Sequence, residues 1–150
     1  MAGLSIFGIH GLPEITAGTD LAASIFDAAT ASGTPLASGD ILVITSKIVS
    51  KAEGRVVRLE DVAVSPFAQQ YAERTEKDPA VVELVLQEAR RGVRQVGPIM
   101  ITETRHGFIC ANAGIDQSSS GGHGLAVLLP VDPDASCAKV RAELRMRGLD

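Results

Sequence analysis

Two patterns of apolar positions alternate along this chain, one typical of β-strands and the other of α-helices. Short apolar runs predict strands, and the run at 41–45 predicts a buried central strand because it is continuously apolar up to Thr45. A turn at Arg105-His106-Gly107 predicts a hairpin between two of the runs. The predicted strands are 4–9, 41–45, 55–59, 99–103, 108–113 and 125–129.

Helical spacing and capping residues predict four helices between these runs. The first covers 21–32, with Thr19 or Asp20 as N-cap and Gly33 as C-cap. Two more begin at Ser65-Pro66 and Asp78-Pro79, where proline occupies the first helical position, and the second of these is predicted to end at Gly92. The last covers 135–147, with Asp134 as N-cap and Gly148 as its end.

The order of these elements predicts one domain over 1–150 with an α+β or mixed α/β fold. We expect a mixed, largely antiparallel sheet flanked by helices. A Rossmann or P-loop fold is not expected, because neither Gly-x-Gly-x-x-Gly nor Gly-x-x-x-x-Gly-Lys-Ser/Thr occurs. The run 118–124, Ser-Ser-Ser-Gly-Gly-His-Gly, predicts a mobile surface loop.

Composition excludes several classes of function. The net charge is −4 and aromatic residues make up 3% of the chain, so neither duplex binding through phosphate neutralisation nor a base-stacking platform is expected. No apolar run is long enough to predict a membrane span, and no signal peptide is visible. Cys110 and Cys137 lack metal-ligand spacing and are expected to be reduced thiols in the cytoplasm.

A first candidate binding segment follows the predicted buried strand directly. It reads Thr45-Ser46-Lys47-Ile48-Val49-Ser50-Lys51-Ala52-Glu53-Gly54-Arg55. The carboxyl end of a central strand is where α/β sheets place their ligands, and lysine ammonium groups there can bind phosphate oxygens. The alternative is a solvated, lysine-bearing edge, and both interpretations stay open on these residues.

A second candidate segment is Cys110-Ala111-Asn112-Ala113-Gly114-Ile115-Asp116. A carboxylate with nearby amide oxygens suits Mg²⁺ or Mn²⁺, which prefer oxygen ligands and keep several waters. The alternative is an Asx-turn in which Asp116 bonds only its own backbone, and on these residues alone that alternative is favoured.

Weaker signals come from the segment 130–136 and from the histidines. Asp132 is a possible ligand, but the two prolines that flank it make turn chemistry the favoured interpretation. His10, His106 and His123 show no metal-binding spacing such as His-Glu-x-x-His. No Ser-His-Asp or Cys-His arrangement can be read from these residues, so no catalytic side chain is assigned.

Taken together, four segments resemble the coenzyme F-420-0:L-glutamate ligases, also called F-420 gamma-glutamyl ligases. Their order and spacing fit along essentially the whole chain. The four segments are Gly11-Leu12-Pro13-Glu14-Ile15, the run 45–55, Asn112-Ala113-Gly114-Ile115-Asp116, and Leu128-Leu129-Pro130-Val131-Asp132-Pro133-Asp134-Ala135-Ser136.

This resemblance implies a GTP-dependent ligase that adds L-glutamate through gamma linkages to the deazaflavin F-420-0, by way of an acyl phosphate. It also implies a homodimer and a divalent metal, Mg²⁺ or Mn²⁺, held by Asp116, and it leaves K⁺ open as a further ion. Ser119 stands where the family usually has an asparagine on the nucleotide. The implied GTP-binding residues are Leu12, Pro13, Glu14, Ile15, Ser46, Lys47, Lys51 and Ser119.

One departure from the family pattern concerns its second half. In the family, a strand after the position of Leu149-Asp150 leads to an Asp-Thr motif that completes the metal site, and this chain carries no such motif. The resemblance therefore predicts a fragment or the product of a split gene. One alternative is a catalytically incomplete GTP- or phosphate-binding module that needs a partner chain. Another is a purely structural or assembly domain.

Overall fold

A computed structural model describes residues 3–117 and 124–150. The helices and strands in this part of the chain confirm the predicted mixed α+β fold. In chain order they are α1 Leu21–Ala31, α2 Ser46–Ala52, β1 Val56–Arg58, α3 Pro66–Thr75, α4 Pro79–Glu88, β2 Ala89–Val96, β3 Ile99–Thr104, β4 Ile109–Ala111, β5 Leu125–Val127 and α5 Pro133–Met146. Two short 3-10 turns, Leu59–Asp61 and Asn112–Gly114, lie between them.

The chain divides into two compact units. Unit 1 comprises Met1–Gly54 and Pro130–Asp150, and unit 2 comprises Arg55–Leu129. Unit 1 therefore contains α1, α2 and α5, whereas the strands of the described residues all belong to unit 2. None of the helices in the described residues is long and apolar enough to cross a membrane.

Unit 1 is built on an aliphatic core to which its three helices contribute. The Ser136 hydroxyl of α5 donates to the Glu53 carboxylate at the end of α2, at 2.5 Å between the oxygens, so these two helices are also joined by a polar contact. Burial of such aliphatic side chains stabilises by roughly 1.5–3 kcal/mol each. The buried core residues are Ile15, Leu21, Ala22, Ile25, Val49, Val140 and Leu144.

Local capping explains where the helices of unit 1 begin. The Asp20 carboxylate accepts the Ala23 backbone N–H at 2.9 Å and so caps α1, as predicted. For α5 the prediction was wrong, because Asp132 and not Asp134 is the N-cap. Its carboxylate accepts the Ala135 N–H at 2.9 Å, and Pro133 takes the first helical position.

Unit 2 contains two small antiparallel sheets. One pairs β1 with β5, with Val56 opposite Val127, and the other has the order β2-β3-β4. Helices α3 and α4 begin at the predicted prolines, and their apolar faces form a cluster with Met100 and Ala113. The predicted hairpin is present as β3 and β4.

The two predicted strands of unit 1 are not observed. Residues 4–9 and 41–45 lie outside the assigned strands. Ile41 and Val43 are 89% and 88% exposed and alternate with half-buried Leu42 and Ile44, so 41–45 is not a strand buried on both faces. An apolar run identifies side chains that can be buried, but a strand also needs a hydrogen-bonded neighbour, and the described residues do not supply one.

Two further boundaries differ from prediction. Helix α2 occupies part of the candidate binding segment 45–55, for which no helix was predicted, and α4 ends at Glu88 rather than at Gly92. The next residues form β2, an exposed strand whose arginines give no apolar alternation. Its pairing with β3 is reinforced by Glu103, whose carboxylate bonds Arg90 at 3.2 Å and Arg91 at 2.6 Å. The predicted loop at 118–124 lies, except for Gly124, outside the described residues.

Candidate functional site

The lysines of the first candidate segment lie on a helix of unit 1. Helix α2 begins at Ser46, and Lys47 and Lys51 are one turn apart, so their side chains leave the same face of the helix. Both lysines are half-buried and Ser46 is exposed. Lysine side chains on one helix face can attract an anion as point charges.

Apolar packing anchors this helix from its other side. Val49 is buried in the core of unit 1, and Ile48 and Ala52 pack against the same cluster. The Ala52 carbonyl accepts the Gly18 N–H at 2.8 Å, which ties the end of α2 to the loop before α1. The helix backbone is therefore held in place while its lysine face points away from the core.

The loop 12–15, which the resemblance assigns to the nucleotide, shares this core. Ile15 is 5% exposed within it and Leu12 packs against it, whereas Pro13 and Glu14 are exposed. Apolar anchors at both ends of a loop fix the backbone and leave its middle residues accessible to a ligand. Unit 1 thus unites the two segments that the resemblance assigned to a nucleotide.

In unit 2, the turn Asn112–Gly114 leads to Asp116. Asn112, Ala113 and Gly114 all have left-handed backbone angles, with φ of 50°, 53° and 72°. Such angles cost roughly 1–3 kcal/mol at each non-glycine residue and persist only where the surroundings enforce them. Three consecutive residues of this kind indicate a turn whose conformation is imposed by its neighbours.

Side-chain hydrogen bonds impose that conformation. The Asn112 side-chain oxygen accepts the Lys77 ammonium at 2.8 Å and the Met100 backbone N–H at 3.3 Å. The Ala113 N–H donates to the buried Thr102 hydroxyl at 3.0 Å. The turn is therefore fastened to β3 and to the segment before α4.

Lys77 is a residue that sequence reasoning missed. Burial lowers the pKa of its ammonium group, because removing a cation from water disfavours the charged form. Lys77 is 35 positions from Asn112, and no local motif links the two. Only tertiary packing could have revealed this contact.

The backbone of Asp116 is fixed by an isolated bridge to Val127. The Asp116 N–H donates to the Val127 carbonyl at 3.0 Å, and the Val127 N–H donates to the Asp116 carbonyl at 2.7 Å. Asp116 is half-exposed. Its carboxylate therefore extends from a defined point at the edge of unit 2.

A divalent metal fits the chemistry of this position only in part. A carboxylate is a suitable ligand for Mg²⁺ or Mn²⁺, and Mg²⁺ is commonly held by one or two carboxylates with water and substrate phosphates. Within 3–117 and 124–150, however, no group of three or more His, Cys, Asp or Glu side chains could hold a metal. Among the described residues, Asp116 therefore does not belong to a set of three protein ligands.

The other sequence-predicted residues have definite places. Asp132 is a helix cap, as the favoured interpretation held, and Ser119 lies outside the described residues. Lys47 and Lys51 belong to unit 1, whereas Asp116 belongs to unit 2. That these three residues share one ligand stays a prediction.

Comparison with known proteins decides the family. The family model described as F420-0:Gamma-glutamyl ligase matches residues 10–148. The chain belongs to this family. The F420-0:gamma-glutamyl ligase match covers the loop 12–15, helix α2, the turn before Asp116 and all of α5.

Three curated relatives carry the name Coenzyme F420:L-glutamate ligase. The relative from Methanothermobacter thermautotrophicus is 47% identical over 143 residues, which is 95% of this chain and 56% of the relative. The relative from Methanopyrus kandleri is 45% identical over 155 residues, covering 100% of this chain and 59% of the relative. For Halobacterium salinarum the identity is 40% over 144 residues, covering 92% and 54%. The chain thus spans a little over half the length of these relatives.

Proposed function

We propose that this chain takes part in the attachment of L-glutamate, through a gamma linkage, to coenzyme F-420-0, in a reaction that consumes GTP and uses a divalent metal. The observation that carries the proposal is the family match over residues 10–148. The names of the relatives support the reaction, while GTP, the metal and the acyl phosphate enter this proposal from the family resemblance of the four segments named above.

In this proposal, the lysine face of α2 binds the triphosphate. Lys47 and Lys51 offset negative charge where a triphosphate and an anionic cofactor approach each other. Ser46 supplies a hydroxyl at the beginning of the helix. The loop 12–15 supplies accessible polar and backbone groups at Pro13 and Glu14 for the remainder of the nucleotide.

Asp116 would hold the divalent metal, which when bound neutralises charge on phosphate oxygens. The strained and fastened turn Asn112–Gly114 fixes the backbone that leads to this carboxylate. A position fixed before the ligand arrives lowers the cost of binding, because little conformational freedom is lost at that moment. The chain's contribution to catalysis is therefore positioning and electrostatics.

The chemical steps balance without a protein nucleophile. The terminal carboxylate of F-420-0 attacks the γ-phosphorus of GTP, the bond to GDP breaks and an acyl phosphate forms. The amine of glutamate then attacks the acyl carbon, the carbon–oxygen bond to phosphate breaks, and the amine loses its proton to solvent. The products are the amide, GDP and phosphate.

A second candidate function is nucleotide binding without turnover. The chain spans 56% and 59% of the lengths of two relatives, and its described residues hold no cluster of three metal-binding side chains. A module of this kind would bind GTP or another phosphate ligand and would require a partner chain for catalysis.

Calorimetric titration of the chain with GTP and Mn²⁺, beside an assay for glutamylated F-420-0, separates these functions. We expect GTP binding, and glutamylated product from the chain alone would refute the binding-only module. Lys51→Met and Asp116→Asn should weaken GTP–Mn²⁺ binding at least about tenfold, a loss of roughly 1.4 kcal/mol each.

Matched controls are available on exposed helix positions. Lys139→Met on α5 and Asp27→Asn on α1 remove the same charges elsewhere in unit 1 and should leave binding unchanged. If Lys51→Met and Asp116→Asn bind GTP as well as these controls do, the site assignment is refuted. If the chain and all variants fail to bind GTP, the proposed GTP site is refuted, as a purely structural domain would predict.

A further inference from the structure

Two neighbouring side chains of unit 2, those of Lys77 and Asn112, carry hydrogen-bond donors that the described residues leave unused. The Lys77 ammonium donates to the Asn112 side-chain oxygen at 2.8 Å. Lys77 is half-buried, yet it forms no ion pair with a carboxylate of residues 3–117 and 124–150. Because a lysine ammonium has three N–H groups, the contact with Asn112 leaves N–H groups of Lys77 for a further partner.

The neighbours of Asn112 fix the direction of its amide group. Its side-chain oxygen accepts both the Lys77 ammonium and, at 3.3 Å, the Met100 backbone N–H. Since both neighbours are donors, the atom that faces them must be the oxygen, and the NH₂ group must point elsewhere. Within the described part of the chain, that NH₂ group has no acceptor. Asn112 therefore presents further donors beside the Lys77 ammonium.

Both side chains leave a backbone that is held in place. The Lys77 N–H donates to the Ala72 carbonyl of α3 at 3.3 Å, and α4 begins two residues after Lys77, at Pro79. Asn112 and Ala113 have φ of 50° and 53°, a left-handed conformation that clusters at ligand-binding sites in proteins. The donors are therefore oriented before a ligand arrives, which lowers the cost of binding it.

The charge of Lys77 is only partly compensated in the chain alone. Placing an ammonium group away from water costs free energy unless an anion or several acceptors compensate it, and Lys77 has the one neutral oxygen of Asn112. The lowered pKa of Lys77 has the same cause, since burial disfavours the charged form. A bound anion would supply the opposite charge and would accept the unused N–H groups.

We propose that Lys77 and Asn112 bind a phosphoryl group. A phosphoryl group presents several acceptor oxygens, enough for both the ammonium and the amide, and lysine binds such a group as a point charge. The two residues belong to unit 2, whereas the lysine face of α2 belongs to unit 1, so this is an additional contact. Assigning the phosphoryl group to a substrate of the ligase rests on the proposed function, whereas the binding of a phosphoryl group does not.

Nuclear magnetic resonance of the full chain tests the proposal at the site itself. Asn112 is the chain's only asparagine, so isotope-labelled asparagine gives a single side-chain amide to follow. We expect inorganic phosphate and pyrophosphate to shift this amide signal saturably. Separate titrations with GTP and Mg²⁺ and with F-420-0 identify which substrate supplies the group. L-Glutamate, which has carboxylates and no phosphoryl group, should leave the signal unchanged.

One variant and a matched control test the ammonium group. Lys77→Met should weaken pyrophosphate binding at least about tenfold, because it removes a charged donor. Arg74→Met removes the same charge from an exposed position near the end of α3 and should change binding by less than about twofold. Binding that Lys77→Met and Arg74→Met weaken equally would show that Lys77 does not contact the ligand.

Asn112→Asp separates the donor role of Asn112 from its role in the turn. It keeps an oxygen for Lys77 and Met100 and replaces the NH₂ group with a second oxygen. The variant should have the circular dichroism of the parent chain and should lose pyrophosphate binding, followed at the backbone amide of Ala113. Binding as tight as that of the parent chain would show that the amide NH₂ group does not contact the ligand.

Further outcomes distinguish this inference from the proposed function. If the Asn112 signal moves with pyrophosphate but with neither GTP nor F-420-0, the phosphoryl site stands and the proposed function is contradicted. If GTP binds in calorimetry while the Asn112 signal moves with none of the phosphoryl ligands, the proposed function stands and this inference is wrong. An equal shift with L-glutamate would make the site one for carboxylates and would likewise overturn the inference.

Discussion

The turn that leads to Asp116 allows a quantitative prediction at Gly114. Replacing Gly114 with alanine adds a methyl group to a residue with φ of +72°, which costs about 1–2 kcal/mol because the methyl crowds the backbone in this left-handed region. The new carbon would also lie 2.9 Å from Leu129 Cδ1 and 3.1 Å from Leu129 Cγ. Such overpacking costs typically about 1–3 kcal/mol.

Gly114→Ala should therefore lower the free energy of unfolding by about 2–5 kcal/mol in total. This is a large part of the free energy of unfolding of about 5–15 kcal/mol that is usual for a small domain. Gly107→Ala is the matched control. Gly107 has φ of +85°, and no atom lies within 4 Å of an added methyl group. Gly107→Ala should therefore lower the free energy of unfolding by only the backbone cost of about 1–2 kcal/mol. The difference between the two variants measures the contact with Leu129.

Urea unfolding followed by tyrosine fluorescence is a suitable assay. Tyr71 is the chain's one tyrosine, there is no tryptophan, and its ring packs against the cluster of unit 2 that contains Ala113. The signal therefore reports unfolding of the unit in which Gly114 lies. Unfolding midpoints and slopes give the free-energy differences.

Leu129→Ala completes a double-mutant cycle with Gly114→Ala. Leu129→Ala removes the side-chain atoms that the methyl group added at position 114 would crowd. Gly114→Ala should therefore cost about 1–3 kcal/mol less in the Leu129→Ala background than in the parent chain. Equal losses for Gly114→Ala and Gly107→Ala, together with no coupling to Leu129→Ala, would refute the reasoning. The strain would then lie in the backbone alone.

Three further predictions concern polar contacts. The Glu83 carboxylate accepts the Ser65 hydroxyl at 2.5 Å and its N–H at 3.0 Å, and the hydroxyl bond in particular lowers the pKa of Glu83. The stabilisation is present above the ordinary glutamate pKa and is lost as the pH falls through the lowered value, so acid titration of Glu83→Gln should show a smaller loss of stability. Burial lowers the pKa of Lys77, so stability should rise as alkaline pH removes its proton, and urea titrations of Lys77→Met should lack this rise. Asp132→Ala should lower thermal stability by about 1 kcal/mol through loss of the α5 cap, and Asp134→Ala by less.

Each of these has a contradicting outcome. If Glu83→Gln loses as much stability at acid pH as the parent chain does, the contact with Ser65 contributes nothing to the pH dependence of folding. If stability still rises at alkaline pH in Lys77→Met, the rise is caused by a titratable group other than Lys77. A greater loss for Asp134→Ala than for Asp132→Ala would restore Asp134 as the residue that begins α5.

Much of the secondary structure and of the candidate site could be predicted from local sequence. The caps Asp20 and Ser65 and the proline after Asp78 locate the starts of three helices, because a cap acts on backbone groups within one turn. The segments that carry the family resemblance are likewise contiguous. Their order along the chain was enough to predict the family that the comparison shows.

Only the tertiary structure decided which segments pair and which pack together. Residues 41–45 have the composition of a central strand, yet they lack a hydrogen-bonded neighbour strand among the described residues. The arginine-rich β2 is a strand because β3 lies beside it. Lys77 and Asn112 are 35 positions apart in sequence, and only the tertiary structure brings them into hydrogen-bond contact. Strand pairing and burial depend on residues distant in sequence, whereas caps and turns depend on neighbours, so periodicity located the elements and the fold decided their partners.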